Sequence, residues 1–158
     1  MFMQTKKYSV CVLLNKDGTK VLLTRKDRTM FAGMLNGVGG KIKDGEEPWE
    51  GGLREIKEET AIDRKDITRF SWLGILTIPE QCDLNAIGMY PELWFFTGIV
   101  EDESLAHKPE TETEPIAWYE IDENGHPISE YEVAGDGDVE YFIRMAHRML
   151  FEQKHTVK

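Results

Sequence analysis

Three glutamates, Glu55, Glu58 and Glu59, stand at i, i+3 and i+4. In a helix that spacing puts their side chains on one face. Like charges so arranged repel, costing a few tenths of a kcal/mol per pair on a bare helix, so a compensating charge is wanted. Hard divalent cations supply one, because they prefer oxygen ligands and are typically shared between carboxylates and substrate phosphates. Gly51 and Gly52 lie one turn before Glu55 and leave space for a phosphate to approach. Each glycine costs a helix interior ~1 kcal/mol relative to alanine, so their presence asks for a reason. The plainer reading is a solvated acidic face. Arg54, four residues after Glu50 and four before Glu58, makes ordinary surface pairs on that reading. The three glutamates alone do not choose between the two.

A helix over residues 48–61 must position these groups. Pro48 suits its first turn, after the turn residues Asp44 and Gly45. Trp49, Leu53, Ile56 and Thr60 recur at helical spacing and are expected to pack on a sheet. Strands are expected at residues 8–14 and 20–24, joined by a turn at Asp17 and Gly18. Aromatic and β-branched residues predict further strands at 67–78, 92–100 and 116–121. A last helix over 139–153 presents Val139, Phe142, Ile143, Ala146, Met149 and Leu150 on one face, with Asp136 or Asp138 as its cap. Four glycines between positions 33 and 40 suggest backbone packed closely against a neighbour. The order implies an α/β fold with a mixed sheet and helices on its faces. The length of 158 residues suits one domain, 1–158.

The spacing around the helix is more specific. Five residues separate Gly40 from Glu46, and seven more lead to Arg54-Glu55-Ile56-Lys57-Glu58-Glu59-Thr60-Ala61-Ile62. This resembles the Nudix box: a glycine, a spaced glutamate, then Arg-Glu-aliphatic-x-Glu-Glu-x-Gly-aliphatic. The departure is Ala61, where the family has the glycine that ends the helix. Alanine there is expected to cost ~1 kcal/mol or to shift the helix end. The resemblance implies an α/β/α sandwich whose box forms a loop-helix-loop binding Mg²⁺ or Mn²⁺. It implies that Glu55, Glu58 and Glu59 are ligands, joined by the Gly40 carbonyl, and that Glu46 and Arg54 form a salt bridge orienting the carboxylates. One carboxylate, Glu58, Glu59 or a glutamate outside the box, would be the general base for attack of water on phosphorus.

The segment Leu35-Asn36-Gly37-Val38-Gly39-Gly40-Lys41 is similar to the one preceding the box in MutT-like enzymes, especially the oxidised-purine triphosphatases. The resemblance implies that Asn36 contacts the purine, that Lys26 lies near the phosphates and that Asp136 or Asp138 reads the base. Glu112 and Glu114 are both candidates for a further metal-binding or catalytic glutamate. Each has a plainer alternative: a turn cap for Asn36, a surface lysine for Lys26, helix caps for the aspartates. Trp72, Trp94 and Trp118 are expected in the core, although one of them, or Phe31, is available to stack on a base. His107, His126, His147 and His155 show no ligand spacing. The implied function is hydrolysis of a nucleoside triphosphate, such as 8-oxo-dGTP, to a monophosphate and pyrophosphate. ADP-ribose, a nucleotide sugar (Pro79 is similar to that subgroup) and a dinucleoside polyphosphate are rival substrates. A nucleotide-binding sensor domain and the isomerase chemistry of one Nudix branch are the rival functions.

A net charge of −10 argues against duplex nucleic acid, whose binding needs a basic face. A divalent metal still lets an acidic protein hold a small phosphorylated substrate. Cys11 and Cys82 have no partner at metal-ligand spacing and read as ordinary thiols. No run of residues is long and apolar enough to span a bilayer, and no signal peptide is evident, so the cytoplasm is the expected compartment. Monomer and homodimer both remain open.

Overall fold

In β1 (Thr5–Asn15), Val10, Val12 and Leu14 alternate with Ser9, Cys11 and Leu13, and all six are buried. A strand covered on both faces belongs at the centre of a layered fold. The computed structural model describes residues 5–27, 31–77 and 90–152. Pro79, Cys82, His155 and the expected strand and helix ends at Ile78 and Gln153 lie outside the described residues.

β1 runs parallel to β5 (Tyr90–Val100), from Thr5 opposite Tyr90 to Asn15 opposite Val100. It pairs antiparallel with β2 (Lys20–Arg25) at Leu13–Leu22 and Leu14–Val21. β4 (Ile67–Thr77) lies antiparallel on the far side of β5. β2 pairs with β6 (Ile116–Glu120) and, at its last residues, with β3 (Leu35–Asn36). The resulting order is β3-β2-β1-β5-β4, with β6 attached to β2. One face packs Cys11, Leu13, Leu22, Val38 and Phe96 against Ile56 of α1 (Pro48–Thr60). The other packs Val10, Val12, Leu23, Leu35 and Phe95 against Val139, Phe142 and Ile143 of α2 (Asp138–Phe151). This is the expected α/β/α sandwich around a mixed sheet. Among the described residues no helix is long and apolar enough to cross a membrane.

α1 has the expected start, with Pro48 in its first turn and the Glu50 side chain accepting the Glu47 N–H at 3.2 Å. Ala61 ends the helix in the left-handed region, φ 65°, and its N–H donates to the Lys57 carbonyl at 3.0 Å. The helix end has therefore not shifted, and alanine bears the strain.

Several expectations are corrected. Trp49 does not pack on the sheet; it is exposed, and the Arg64 guanidinium lies 5.3 Å from its ring centre. Gly51 and Gly52 are buried and give no passage to a phosphate. A Cβ on Gly52 would stand 3.2 Å from Cys11 Sγ, and one on Gly51 would stand 2.9 Å from Glu46 Oε1. Their smallness lets the helix settle onto the sheet and onto the loop before it. The N-cap of α2 falls on Gly137, so neither Asp136 nor Asp138 caps it. Met149 lies off the apolar face of α2 and is partly exposed. Trp72 is 57% exposed, on β4, an edge strand of the sheet. Its ring lies 5.9 Å from that of Trp94, which is half-buried, as is Trp118.

Candidate active site

The loop before α1 is fastened to the middle of the sheet. Cys11 and Val38 exchange backbone hydrogen bonds of 2.6 and 2.9 Å, and the Ser9 N–H donates to the Gly40 carbonyl at 2.8 Å. Gly39 sits so close to the Ser9 carbonyl that no side chain fits there. On the helix side, a Cβ at Gly40 would be 2.7 Å from Glu55 Oε1. The Gly39 N–H donates to Glu59 Oε2 at 2.8 Å. These two glycines thus bring the backbone against the carboxylates, which larger residues would prevent.

Arg54 organises the acidic groups. Its Nε donates to Glu46 Oε2 at 2.8 Å and its Nη2 to Glu46 Oε1 at 3.1 Å, a bidentate pair. Nη2 also donates to the Lys41 carbonyl at 2.9 Å, and Nη1 to Glu55 Oε1 at 3.0 Å and Glu58 Oε2 at 3.2 Å. The guanidinium holds the Glu46 carboxyl at a pKa of about 2. Glu58 remains half in solvent, whereas Glu59 is only 8% exposed.

Burial pushes the Glu59 carboxyl up to about 8, and the neighbouring Glu55 charge adds to this. The Gly39 N–H and the Lys26 charge oppose it. Burial also raises the Glu55 pKa, against the pull of Arg54. The charge of Glu112 adds to the upward shift of both Glu55 and Glu59. Glu114 is committed elsewhere: its Oε1 accepts from Lys26 Nζ at 3.2 Å and its Oε2 from the Asp27 N–H at 2.9 Å. Lys26 is therefore an ion-paired, largely covered lysine and not a free surface one.

The remaining candidates gather at the β3 edge. Asn36 Oδ1 accepts the Gly37 N–H at 2.8 Å. Leu35 N–H donates to the Glu132 carbonyl and the Ala134 N–H donates to the Leu35 carbonyl. Residues 132–134 thus run alongside β3 in the same direction. The topology places Asn36 and the Asp136–Asp138 turn at the same end of that pairing. His126 Nδ1 lies 2.6 Å from Glu140 on α2, and His147 stacks on Phe151.

The donor set around Gly40 is all oxygen and acidic, which fits a hard divalent cation. A buried carboxylate such as Glu59, with a single backbone N–H to satisfy it, gains most from one. Among the described residues, however, no three acidic, histidine or cysteine side chains converge as a ready cation cage. Arg54 lies between Glu55 and Glu58 and keeps them on protein partners. The roles of Ser9 and Cys11 in seating the loop are not legible in the sequence. Their contacts bridge distant parts of the chain, Ser9 to Gly40 spanning 31 positions, and no local pattern marks them.

An acidic helix docked behind a glycine loop on an α/β/α sandwich is the architecture of the Nudix hydrolases. The NUDIX domain family model matches residues 5–136, and the chain belongs to that family. A curated relative, the m7GpppN-mRNA hydrolase NUDT17 of Xenopus laevis, is 37% identical over 68 residues. That match covers 42% of this chain and 23% of the relative, so the chain matches less than a quarter of that protein's length. A MutT NUDIX hydrolase from Burkholderia pseudomallei superposes with a TM-score of 0.64 at 17% identity, covering 89% of this chain and 96% of its own. The NUDIX domain of Shewanella oneidensis NrtR, solved with ADP ribose, gives 0.58 at 19% identity, covering 74% and 73%. At these identities the structures testify to the fold.

Proposed function

We propose that the protein is a divalent-metal-dependent pyrophosphohydrolase that cleaves a nucleoside triphosphate to a monophosphate and pyrophosphate. The observation carrying this reading is the pair of carboxylates at Gly39 and Gly40: Glu55 pinned by Arg54 and Glu59 held by the Gly39 N–H, with the charge of Glu112 acting on both. Mg²⁺ or Mn²⁺, held by Glu55, Glu58, Glu59 and the Gly40 carbonyl, would supply Lewis acidity and neutralise phosphate charge. Arg54 and Glu46 keep the ligand carboxylates from splaying apart. Glu112 takes the proton from the attacking water: its charge acts on Glu55 and Glu59, and among the described residues no hydrogen bond ties its carboxylate elsewhere. The water oxygen bonds to one phosphorus of the α,β-bridge, and that phosphorus loses its bond to the bridging oxygen, leaving monophosphate and pyrophosphate.

A purine base, 8-oxoguanine among the candidates, suits the β3 edge, where Asn36 has an amide N–H₂ to donate and Asp136 and Asp138 offer acceptors. The test is a panel of dGTP, 8-oxo-dGTP, dATP, dCTP, ADP-ribose and Ap4A with Mg²⁺, products being separated by ion exchange, and Glu58→Gln as the control. Monophosphate plus pyrophosphate from one purine triphosphate, lost in the control, is the expected result. Turnover confined to ADP-ribose or Ap4A overturns the substrate but keeps the chemistry. Tight nucleotide binding without turnover replaces the enzyme by a sensor.

A further inference from the structure

We infer that Glu114 is a positioning residue: it holds the Lys26 ammonium beside the acidic cluster, so that this lysine meets the substrate's phosphates. The inference rests on the proposed phosphate chemistry of the site. Four separate contacts carry it. Glu114 Oε1 accepts from Lys26 Nζ at 3.2 Å. Its other oxygen accepts the Asp27 N–H at 2.9 Å, fixing the carboxylate from a second direction. The backbone on either side is fastened as well: the Arg25 N–H donates to the Pro115 carbonyl at 2.9 Å, and the Lys26 N–H to the Met34 carbonyl at 2.9 Å.

A lysine carries four rotatable bonds, and ordering it on a ligand costs rotamer freedom. Here both partners are largely covered, the Lys26 side chain 24% exposed and that of Glu114 14%. The entropy is therefore spent on folding and not again on binding. The ammonium has three donors, of which Glu114 takes one. The Lys26 N–H donates to the Met34 carbonyl and the Gly33 N–H to the Lys26 carbonyl, so Lys26 is fastened at the head of the loop that carries Gly39 and Gly40, and its charge acts on Glu59. Glu112 and Glu114, two positions apart, thereby differ: the charge of Glu112 acts on Glu55 and Glu59, while Glu114 holds the lysine.

The test is a double-mutant cycle with Lys26→Met, Glu114→Gln and the double variant. Glutamine keeps an acceptor for the Asp27 N–H while removing the charge that holds Lys26. Calorimetry with inorganic tripolyphosphate and Mg²⁺ reads phosphate affinity without turnover. Glu114→Gln is expected to weaken binding about fivefold, the scale of a partly covered ion pair. Lys26→Met should weaken it at least as much, and the double variant no further than Lys26→Met alone. For whichever nucleotide is cleaved, KM should rise by a similar factor while kcat falls by less than twofold, a split that a loosened fold would not give. Glu114→Gln binding as tightly as the parent, factors that multiply in the double variant, or no tripolyphosphate binding by the parent would each overturn the inference. A cycle that closes as expected in a protein that cleaves no nucleotide would sustain it and reject the proposed function alone.

Discussion

At the scale of single residues, the distinction between Glu112 and Glu114 carries the most chemistry. The sequence places them two apart and offers no reason to prefer either. The fold separates them by their partners: Glu114 is bound to Lys26 and Asp27, whereas the charge of Glu112 is felt by Glu55 and Glu59. Replacing Glu112 by glutamine is expected to lower kcat by about 10²-fold or more, the usual worth of a general base, with KM little changed. Steady-state kinetics on the two variants side by side checks this; a kcat loss in Glu114→Gln equal to that in Glu112→Gln would refute the assignment. Arg54 makes a second residue-scale argument. Lysine cannot reproduce a guanidinium that binds Glu46 through two nitrogens and still reaches Lys41, Glu55 and Glu58. Arg54→Lys should cost about 1 kcal/mol of stability and lower activity more than Glu50→Gln, whose carboxylate only braces the helix start. Denaturant unfolding and kcat/KM measured on the same preparations compare them.

At the scale of elements, α1 was legible nearly to its ends, because Pro48, the acidic triplet and the apolar spacing all obey local rules. Its contact with the sheet was legible at Leu53, Ile56 and Thr60, which are covered as their spacing implies, but not in the first turn. Trp49 has the right period for the buried face, yet near the helix start it is Gly51 and Gly52 that lie against the loop and the sheet. Periodicity reports direction around the helix but not how closely a small residue lets the axis approach. The same limit applies to Trp72: strand propensity found β4, but only the strand order makes it an edge. The helix end at Ala61 shows a local rule broken at a measurable cost. Its φ of 65° lies where a Cβ is strained by about 1 kcal/mol, and glycine would relieve it. Ala61→Gly should therefore raise Tm by about 2–4 °C for a chain of this size, with kcat unchanged because residue 61 contributes no carboxylate. A thermal melt showing no gain would mean that the greater freedom of glycine in the unfolded chain cancels the relief.

At the scale of the whole molecule, the acidity is concentrated where folding is least able to tolerate it. Glu59 is held at about 8 by burial and by Glu55, well above its value in the unfolded chain. Between the two pKa values the folded state therefore binds the extra proton. It follows that the metal-free protein loses stability as pH rises from about 4.5 towards 8, the reverse of what a salt-bridged carboxylate such as Glu46 does. Glu46, held at about 2 by Arg54, contributes stability above its unfolded pKa and loses it only as the solution becomes strongly acidic. A divalent cation changes the first balance, because it favours the charged form and binds the native state selectively. The gain in Tm on adding Mg²⁺ should accordingly grow between pH 6 and pH 8.5. In Glu59→Gln the downward slope of the metal-free protein should flatten, since glutamine accepts the Gly39 N–H without a charge to bury. Melts across that pH range, with EDTA and with Mg²⁺, measure both slopes. A metal-free slope unchanged by Glu59→Gln would locate the destabilising charge elsewhere in the cluster. A Mg²⁺ gain independent of pH would show that the carboxylates are already ionised when the cation arrives.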